Sequence, residues 1–452
     1  MIEVKTSSEY ILDTSKEYSL YVCEHRAIPR VNDGLKDGQR KALWLIKNKA
    51  DKIKTISLSG ELISSNLYLH GDQSASDTIS RLAAPFCNNI PLLDGVGAFG
   101  TRISPVEGIG APRYTYVKKG KAAEELLFVD LDIVPTRENY DGSTIEPIHF
   151  LPLIPIVLLN GISGIAVGWS TEILPRSFKD LVESTIDILN GKNIKRLIPT
   201  YEYLNCSVNH LENNSWEFKG KASIIDGNTI KVTELPPDLN LEKFKERLNT
   251  MEDENIINSY IDRSTKVIDI TIKMPRGSVK GWSDERVIGF LKLKQKITER
   301  IVVIDWNGNN IKQYETAEKL LIDFVVWRLK WFTKRYEFLL TNDLYELSYW
   351  QALKCCFDDK LPARIGSKKN KKEVEDDVNL LTKNCSIDSK QLDKIVSLPT
   401  YKWAHDFYLT ILENIKTLED NIKLYRSILS DPELIKNIYI KELTNLKKVK
   451  FK

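Results

Sequence analysis

Residues 309–361 contain neither glycine nor proline. Within them Leu321, Val325, Leu329, Phe332, Tyr336, Leu339, Leu347 and Trp350 fall on one helical stripe. A helix of ~40 residues would reach ~60 Å at ~1.5 Å per residue, too long to be buried in a single core. A second run follows Pro399, where Tyr408, Ile411, Ile415, Leu418, Ile422, Tyr425 and Leu429 alternate steps of three and four until Pro432. That is the spacing of a coiled-coil seam. Two such runs in one chain predict a long antiparallel coiled coil over residues 314–452, with residues 358–398 as its distal knob. The charged segment 367–377, SKKNKKEVEDD, predicts a mobile loop in that knob. The sequence finishes on Lys447, Lys448, Lys450 and Lys452, and no further domain is expected after the coil.

A length of 452 residues predicts about three domains. With 42% hydrophobic and 28% charged residues, a soluble globular protein is expected. Net charge is only +3, so any signal for nucleic acid has to be local. The six cysteines, Cys23, Cys87, Cys206, Cys355, Cys356 and Cys385, form no CxxC, which argues against zinc and disulfide frameworks and fits a reducing cytosol. His25, His70, His149, His210 and His405 show no metal-ligand spacing. Residues 1–22 read as a polar arm without a signal peptide, and no apolar run approaches the ~20 residues of a membrane span.

The first local signal is residues 26–49, where Arg26, Arg30, Lys36, Arg40, Lys41, Lys47 and Lys49 face only Asp33 and Asp37. Asp37 can cap a helix whose apolar side carries Ala42, Leu43, Leu45 and Ile46, leaving its basic side free for phosphate. In residues 67–86, Asp72 and Ser74 are candidate caps of a helix with Ile79, Leu82 and Ala83 on its apolar side. Gln73, Ser76, Asp77, Ser80 and Arg81 point elsewhere. Two helices joined through a turn, then a glycine-rich hairpin, predict a winged helix-turn-helix. His70, just ahead of the second helix, reads by itself as a capping or surface residue.

Residues 94–121 hold the chemistry. A glycine-rich approach ends in Arg113-Tyr114-Thr115-Tyr116, backed by Lys118, Lys119 and Lys121. A guanidinium grips phosphate through a planar fork of donors. A phenol can attack phosphorus if its proton, ordinarily held to a pKa of ~10, is removed. Residues 95–100 match G-x-G-x-x-G, but Pro105, Gly108, Gly110 and Pro112 follow, so no helix opens and a dinucleotide site is excluded. Asp130 and Asp132 form a DxD without a second acidic cluster and read as solvated carboxylates at a helix end.

Residues 157–159 read as a buried strand, and residues 162–168 as a hairpin with glycines on either side of Ile165. Spacing alone makes Ile165 a core residue. Exposed on so thin a hairpin, it would suit a wedge between base pairs. Residues 171–313 read as a mixed α/β supporting region, with helices at 178–189, 243–248 and 284–293 and strands at 222–225, 229–235, 267–272 and 301–304.

Taken in order, RAIPRVNDGLKDGQRKALW, HGDQSASDTI, GVGAFG, APRYTYV, NYDG and LLNGISGIAVGWST resemble the DNA-cleaving part of type IIA topoisomerases, from residue 23 to the end, with greatest likeness to the T-even phage form. The resemblance implies an α+β protein. Its parts would be an arm (1–22), a winged-helix DNA-cleavage domain (23–150), an α/β tower with a DNA-wedge hairpin (151–313) and a coiled coil whose knob is the dimer exit gate (314–452). It implies Tyr114 as the nucleophile that becomes a 5′-phosphotyrosine, with Tyr116 as rival and Tyr114 favoured because it follows Arg113. Arg113 would stabilise the transition state, and His70, Arg26, Lys36 and Arg40 would sit near the scissile phosphate. Arg30, Lys41 and Ser74 belong to the matching DNA-binding segments, and Ile165 would be the wedge. Asp72, Gln73 and Asp77 would lie where quinolones bind gyrase, with Gln73 of eukaryotic type. Mg²⁺ and ATP are expected on a separate ATPase/Toprim partner, metal on this chain is not, and a homodimer acting on double-stranded DNA in the cytoplasm (the host's, if phage-encoded) is implied. No DNA-wrapping domain is recognised, so relaxation rather than gyrase-type supercoiling is expected. The alternative is a non-catalytic winged-helix protein that bends DNA and dimerises through its coil.

Overall fold

The computed structural model describes residues 6–451, so residues 1–5 of the arm and Lys452 lie outside it. The chain divides into two units, residues 1–328 with 442–452, and residues 329–441.

In the first unit, helix α1 (Ser7–Val22) runs into a π-helical turn, Cys23–Ala27. Helix α2 (Asp37–Ile46) follows. Its cap is Lys36, whose N–H donates to the Gln39 side chain at 3.0 Å, so Asp37 is the first helical residue rather than the cap. Strand β1 (Ile53–Lys54) leads into α3 (Thr55–Ser64), a helix absent from the sequence reading because Gly60 and its serines are poor helix formers. Helix α4 (Asp72–Ala83) is preceded by Gly71, and neither Asp72 nor Ser74 caps it. The Ser74 hydroxyl instead meets the Tyr68 hydroxyl at 2.9 Å. Strands β2 (Leu93–Val96) and β3 (Tyr116–Lys119) close an antiparallel sheet of order β1-β3-β2. No helix opens from the glycine run after β2. Leu43, Ile46, Leu58, Leu62, Ile79, Leu93 and Val117 are buried between helices and sheet, each worth about 1.5–3 kcal/mol.

Strands β4 (Thr136–Glu138) and β5 (Ile145–Pro147) form a hairpin. Residues 157–159 lie in helix α5 (Ile156–Asn160), not a strand. The Leu158 and Leu159 N–H groups both donate to the Pro155 carbonyl, at 3.0 and 3.1 Å. A fully buried apolar run carries no periodicity with which to separate the two states. Strands β6 (Ile162–Ile165) and β7 (Ser170–Ile173) form the expected hairpin, and α6 (Phe178–Leu189) matches its predicted bounds.

Strands β8 (Ser207–His210), β9 (Ser215–Lys219), β10 (Lys221–Asp226) and β11 (Thr229–Glu234) come next, followed by α7 (Leu241–Asp253), β12 (Ser259–Asp262) and β13 (Ile270–Lys273). Helix α8 (Asp284–Phe290) precedes β14 (Lys294–Thr298), β15 (Ile301–Ile304) and β16 (Ile311–Tyr314). One sheet has order β10-β11-β13-β12 and another β14-β9-β8. Ile230, Val232, Ile270 and Ile272 pack with Phe244 and Leu248 of α7 and Val287 of α8 in one core. Val302 and Ile304 of β15 pack against Cys23, Ala27 and Ile28, which seats the π-helical turn on the sheet region.

Helix α9 (Ala317–Asp358) is 42 residues long, as the glycine- and proline-free run requires. It is followed by α10 (Leu361–Ile365), α11 (Lys371–Leu381), α12 (Ser389–Val396) and α13 (His405–Ser430) of the second unit, and by α14 (Pro432–Leu446). Tyr336 meets Tyr425 at 5.8 Å between ring centroids, Asn421 donates to Asp343 at 3.1 Å, and Tyr408 donates to Asp358 at 2.8 Å. Numbers rise along α9 as they fall along α13, so the two run antiparallel. The predicted mobile loop is mostly helical. Asn370 caps α11 by accepting from the Glu373 N–H at 3.0 Å, and buried Asp377 holds Arg364 at 2.5 Å. The apolar face of that helix, Val374 and Val378, joins the knob core and outweighs its charge.

Candidate active site and nucleic-acid interface

Arg26 leaves the π-helical turn with its guanidinium exposed and donates from Nη2 to His70 Nδ1 at 2.9 Å. Arginine stays protonated and only donates, so Nδ1 accepts and the ring proton sits on Nε2. Tyr21 Oη of α1 lies 3.5 Å from that Nε2. Burial and the neighbouring Arg26 charge both push the His70 pKa below its ordinary value, which keeps the ring neutral at neutral pH. Lys36 donates to the Ser163 carbonyl of β6 at 2.7 Å. Burial, then Arg81, lowers its pKa.

Arg26, Lys36, His70, Ser74 and Arg81 share the lining of a cleft of about 440 Å³. A second cleft, of about 420 Å³, lies between α4 and the loop before Tyr114, and Gln73, Asp77, Arg81 and residues 109–112 line it. The Gln73 amide donates to Asp77 at 2.7 Å one turn along the helix. Arg81 belongs to both clefts, a position the sequence reading did not select. The available signal was its place seven residues beyond Ser74 on one helical face. Ser76 and Ser80 are buried rather than pointing away from the core.

Arg30, Arg40 and Lys41 do not present the free basic face expected of them. Arg40 is 2% exposed and grips Asp33, itself fully buried, through Nε at 2.6 Å and Nη2 at 2.8 Å. Asp33 also accepts the Phe150 N–H at 3.0 Å. Lys41 pairs with Asp37 at 3.0 Å and Glu146 at 2.9 Å, and buried Arg30 pairs with Glu24 at 2.8 Å. Burial pushes the Asp37 carboxyl up, but His25, Lys41 and Arg40 outweigh it and leave the group well below the carboxylate range. Arg40 and Lys41 neutralise buried carboxylates, and Arg30 pairs with the half-buried Glu24, so none of the three stands as a free surface cation.

Tyr114 is 70% exposed, on the loop between β2 and β3, and the Arg113 guanidinium lies 4.9 Å from its ring centroid. The flanking Thr115 is buried, its hydroxyl 2.8 Å from that of Thr55. Its carbonyl accepts the Thr55 N–H at 3.0 Å, and the Pro112 carbonyl accepts the Ile56 N–H at 3.2 Å. The exposed pair is therefore tethered on both sides to the start of α3. Tyr116 sits within β3, half-buried, opposite Lys54 and Val96. Arg113 and Tyr114 line neither cleft.

Ile165 is 87% exposed, so the core reading from spacing is overturned. The Asp130 carboxylate is buried and paired with Arg328 at 2.5 Å rather than solvated. Among the described residues, no group of three or more His, Cys, Asp and Glu can hold a metal, and no helix is long and apolar enough to cross a membrane.

Residues 26–444 match the family model for the A subunit of DNA gyrase/topoisomerase IV. The chain is 31% identical over 327 residues to mouse (Mus musculus) DNA topoisomerase 2-alpha, and 32% identical over 330 residues to that of chicken (Gallus gallus). Each match covers 70% of this chain, which spans 21% of each relative's length. The crystal structure of the Plasmodium falciparum topoisomerase II DNA-binding, cleavage and re-ligation domain superposes with a TM-score of 0.85 at 26% identity, covering 96% of this chain and 64% of that one. The chain belongs to the A-subunit family of DNA gyrase and topoisomerase IV, in its type IIA cleavage and religation region.

Proposed function

We propose that this chain is the DNA-cleaving and religating subunit of an ATP-dependent type II topoisomerase. The observation that carries the reading is the Arg113–Tyr114 pair, held exposed by buried neighbours. Deprotonated Tyr114 Oη attacks a backbone phosphorus and forms a phosphotyrosyl ester at the 5′ end. The P–O3′ bond breaks, and the leaving 3′ oxygen takes up a proton. The reverse attack reseals the strand, and because one phosphodiester replaces another no ATP is consumed by cleavage itself. Arg113 offsets the charge that develops on the phosphate oxygens. His70, neutral and protonated on Nε2, supplies a hydrogen bond beside Arg26 and Lys36, which hold the phosphate.

The three helices beside the β1-β3-β2 sheet support a winged-helix reading, with α4 as the helix that enters the groove. Exposed Ile165 supports a DNA wedge on the tower, and α9 with α13 supports a coiled coil leading to an exit gate. Among the described residues no acidic group fits a Mg²⁺ site, which supports placing Mg²⁺ on an ATPase/Toprim partner, where it would supply charge neutralisation at the scissile phosphate. Two copies of the chain are needed to cut both strands. On this reading the complex relaxes supercoiled DNA by strand passage.

The test is a denaturing gel of the chain with partner, Mg²⁺ and labelled duplex DNA. Wild type and Tyr116→Phe are expected to carry covalently attached DNA, and Tyr114→Phe none. Attachment retained in Tyr114→Phe removes that residue from the role. No attachment in wild type leaves the DNA-bending dimer.

A further inference from the structure

The loop that carries Arg113 and Tyr114 is anchored at its far end as well. Arg102, 9% exposed, donates from Nη2 to Glu234 Oε1 and, at 3.3 Å, to the Leu235 carbonyl at the end of β11. Glu234, 7% exposed, is itself held. Its Oε1 accepts the Leu235 N–H at 3.0 Å and its Oε2 the Asn205 N–H at 2.9 Å. Next to Arg102, Ile103 packs into the core of the four-stranded sheet. Between this anchor and Tyr114 the loop is cross-tied. The Gly110 N–H donates to the Ala98 carbonyl at 2.9 Å, Phe99 bridges Ile109, and the Thr101 N–H donates to Ser104 at 3.0 Å. Gly100, at φ +85°, has no room for a side chain, since a Cβ would stand 2.2 Å from the Pro105 carbonyl oxygen. These ties join residues 98–110, Arg102 among them, into one cross-bonded stretch ahead of Tyr114.

We propose that Arg102 and Glu234 form a latch that positions the Arg113–Tyr114 loop from the sheet, making Glu234 a positioning residue for strand cleavage. The proposal rests on the Tyr114 reading above. The pair is poorly explained as a stability device. An apolar pair of the same volume is generally at least as stable as a buried ion pair, and Arg102 Nε is buried here without a hydrogen-bond partner. What the contact adds is position, because the Glu234 carboxylate is itself fixed by the Leu235 and Asn205 N–H groups and holds Arg102 Nη2 at one place on the sheet. The latch fixes one side of the loop on the sheet while the Thr55–Thr115 contact fixes the other on α3. The tyrosine is thus placed relative to two bodies at once, and a shift of the sheet reaches the nucleophile through Arg102.

The experiment compares wild type, Glu234→Gln, Arg102→Glu and the swap Arg102→Glu/Glu234→Arg in the full chain with its partner, Mg²⁺ and duplex DNA. Covalent adduct, equilibrium DNA affinity and thermal midpoint are read for each, with Tyr114→Phe alongside. Glu234→Gln is expected to keep DNA affinity while adduct falls on the order of tenfold to a hundredfold, as misplacement of a reacting group does. The swap is expected to restore adduct in part. Adduct that is unchanged in Glu234→Gln, or that falls only in step with affinity and thermal midpoint, overturns the latch. An adduct missing from wild type, or persisting in Tyr114→Phe, overturns the Tyr114 reading and the latch with it.

Discussion

Gly164 lies against the Ala27 carbonyl so closely that a Cβ would stand 2.0 Å from its oxygen and 3.3 Å from the Lys36 ammonium. The hairpin that ends in Ile165 therefore rests directly on the turn that carries Arg26. Gly164→Ala is expected to force the hairpin away from that turn, at a cost of about 1–3 kcal/mol in a denaturant titration. It should also break the Lys36–Ser163 contact. An unchanged unfolding midpoint would show that the backbones part without strain.

Ile165 itself is expected to matter only to DNA. Since it is 87% exposed, Ile165→Ala should change stability by no more than about 0.5 kcal/mol. Bending of a duplex labelled at both ends, read by energy transfer, should fall. A large loss of stability with bending intact would reverse the assignment.

Asp33→Asn tests whether Arg40 serves the fold. Removing the charge leaves buried Arg40 with only the more distant Asp37, at 3.5 Å, as a paired carboxylate, and the change is expected to cost about 3–5 kcal/mol by equilibrium unfolding. If the cost is near zero, Arg40 is free to turn toward phosphate.

His149 sets an acid limit. Its ring, 6% exposed, has a pKa pushed down to about 4, by burial first, against the Phe150 carbonyl that accepts from Nδ1 at 2.9 Å. A depressed folded pKa means that the stability is fully present above the unfolded value of ~6.5 and is lost as pH falls through about 4. The swing is about 3 kcal/mol. Unfolding free energy should decline between those pH values in wild type and much less in His149→Phe. Loss from Asp37 belongs to a lower window, below the ordinary carboxylate pKa.

Elements whose signal is local were legible in the sequence. The 42-residue α9 followed from the absence of glycine and proline over residues 309–361, and α6 from a clean amphipathic period. Helix α3 was not legible, because Gly60 and its serines argue locally against the burial of Leu58 and Leu62 that stabilises it. Helix α5 read as a strand because a wholly apolar run has no polar face to mark its period.

The site divides along the same line. Local sequence determined which groups could do chemistry. Arginine beside tyrosine and a glycine-rich approach are properties of consecutive residues, and the order of six motifs pointed to the family. Only tertiary structure decided which cations face outward. Arg26 and Arg40 are equally basic in sequence, yet Arg26 meets His70 at an open cleft while Arg40 is enclosed with Asp33. The same holds for Ile165, exposed on its hairpin, and for Arg102, which finds Glu234 across 132 residues. A charge's role depends on the dielectric and the partner around it. Both are set by residues far away along the chain, so no window of sequence contains them.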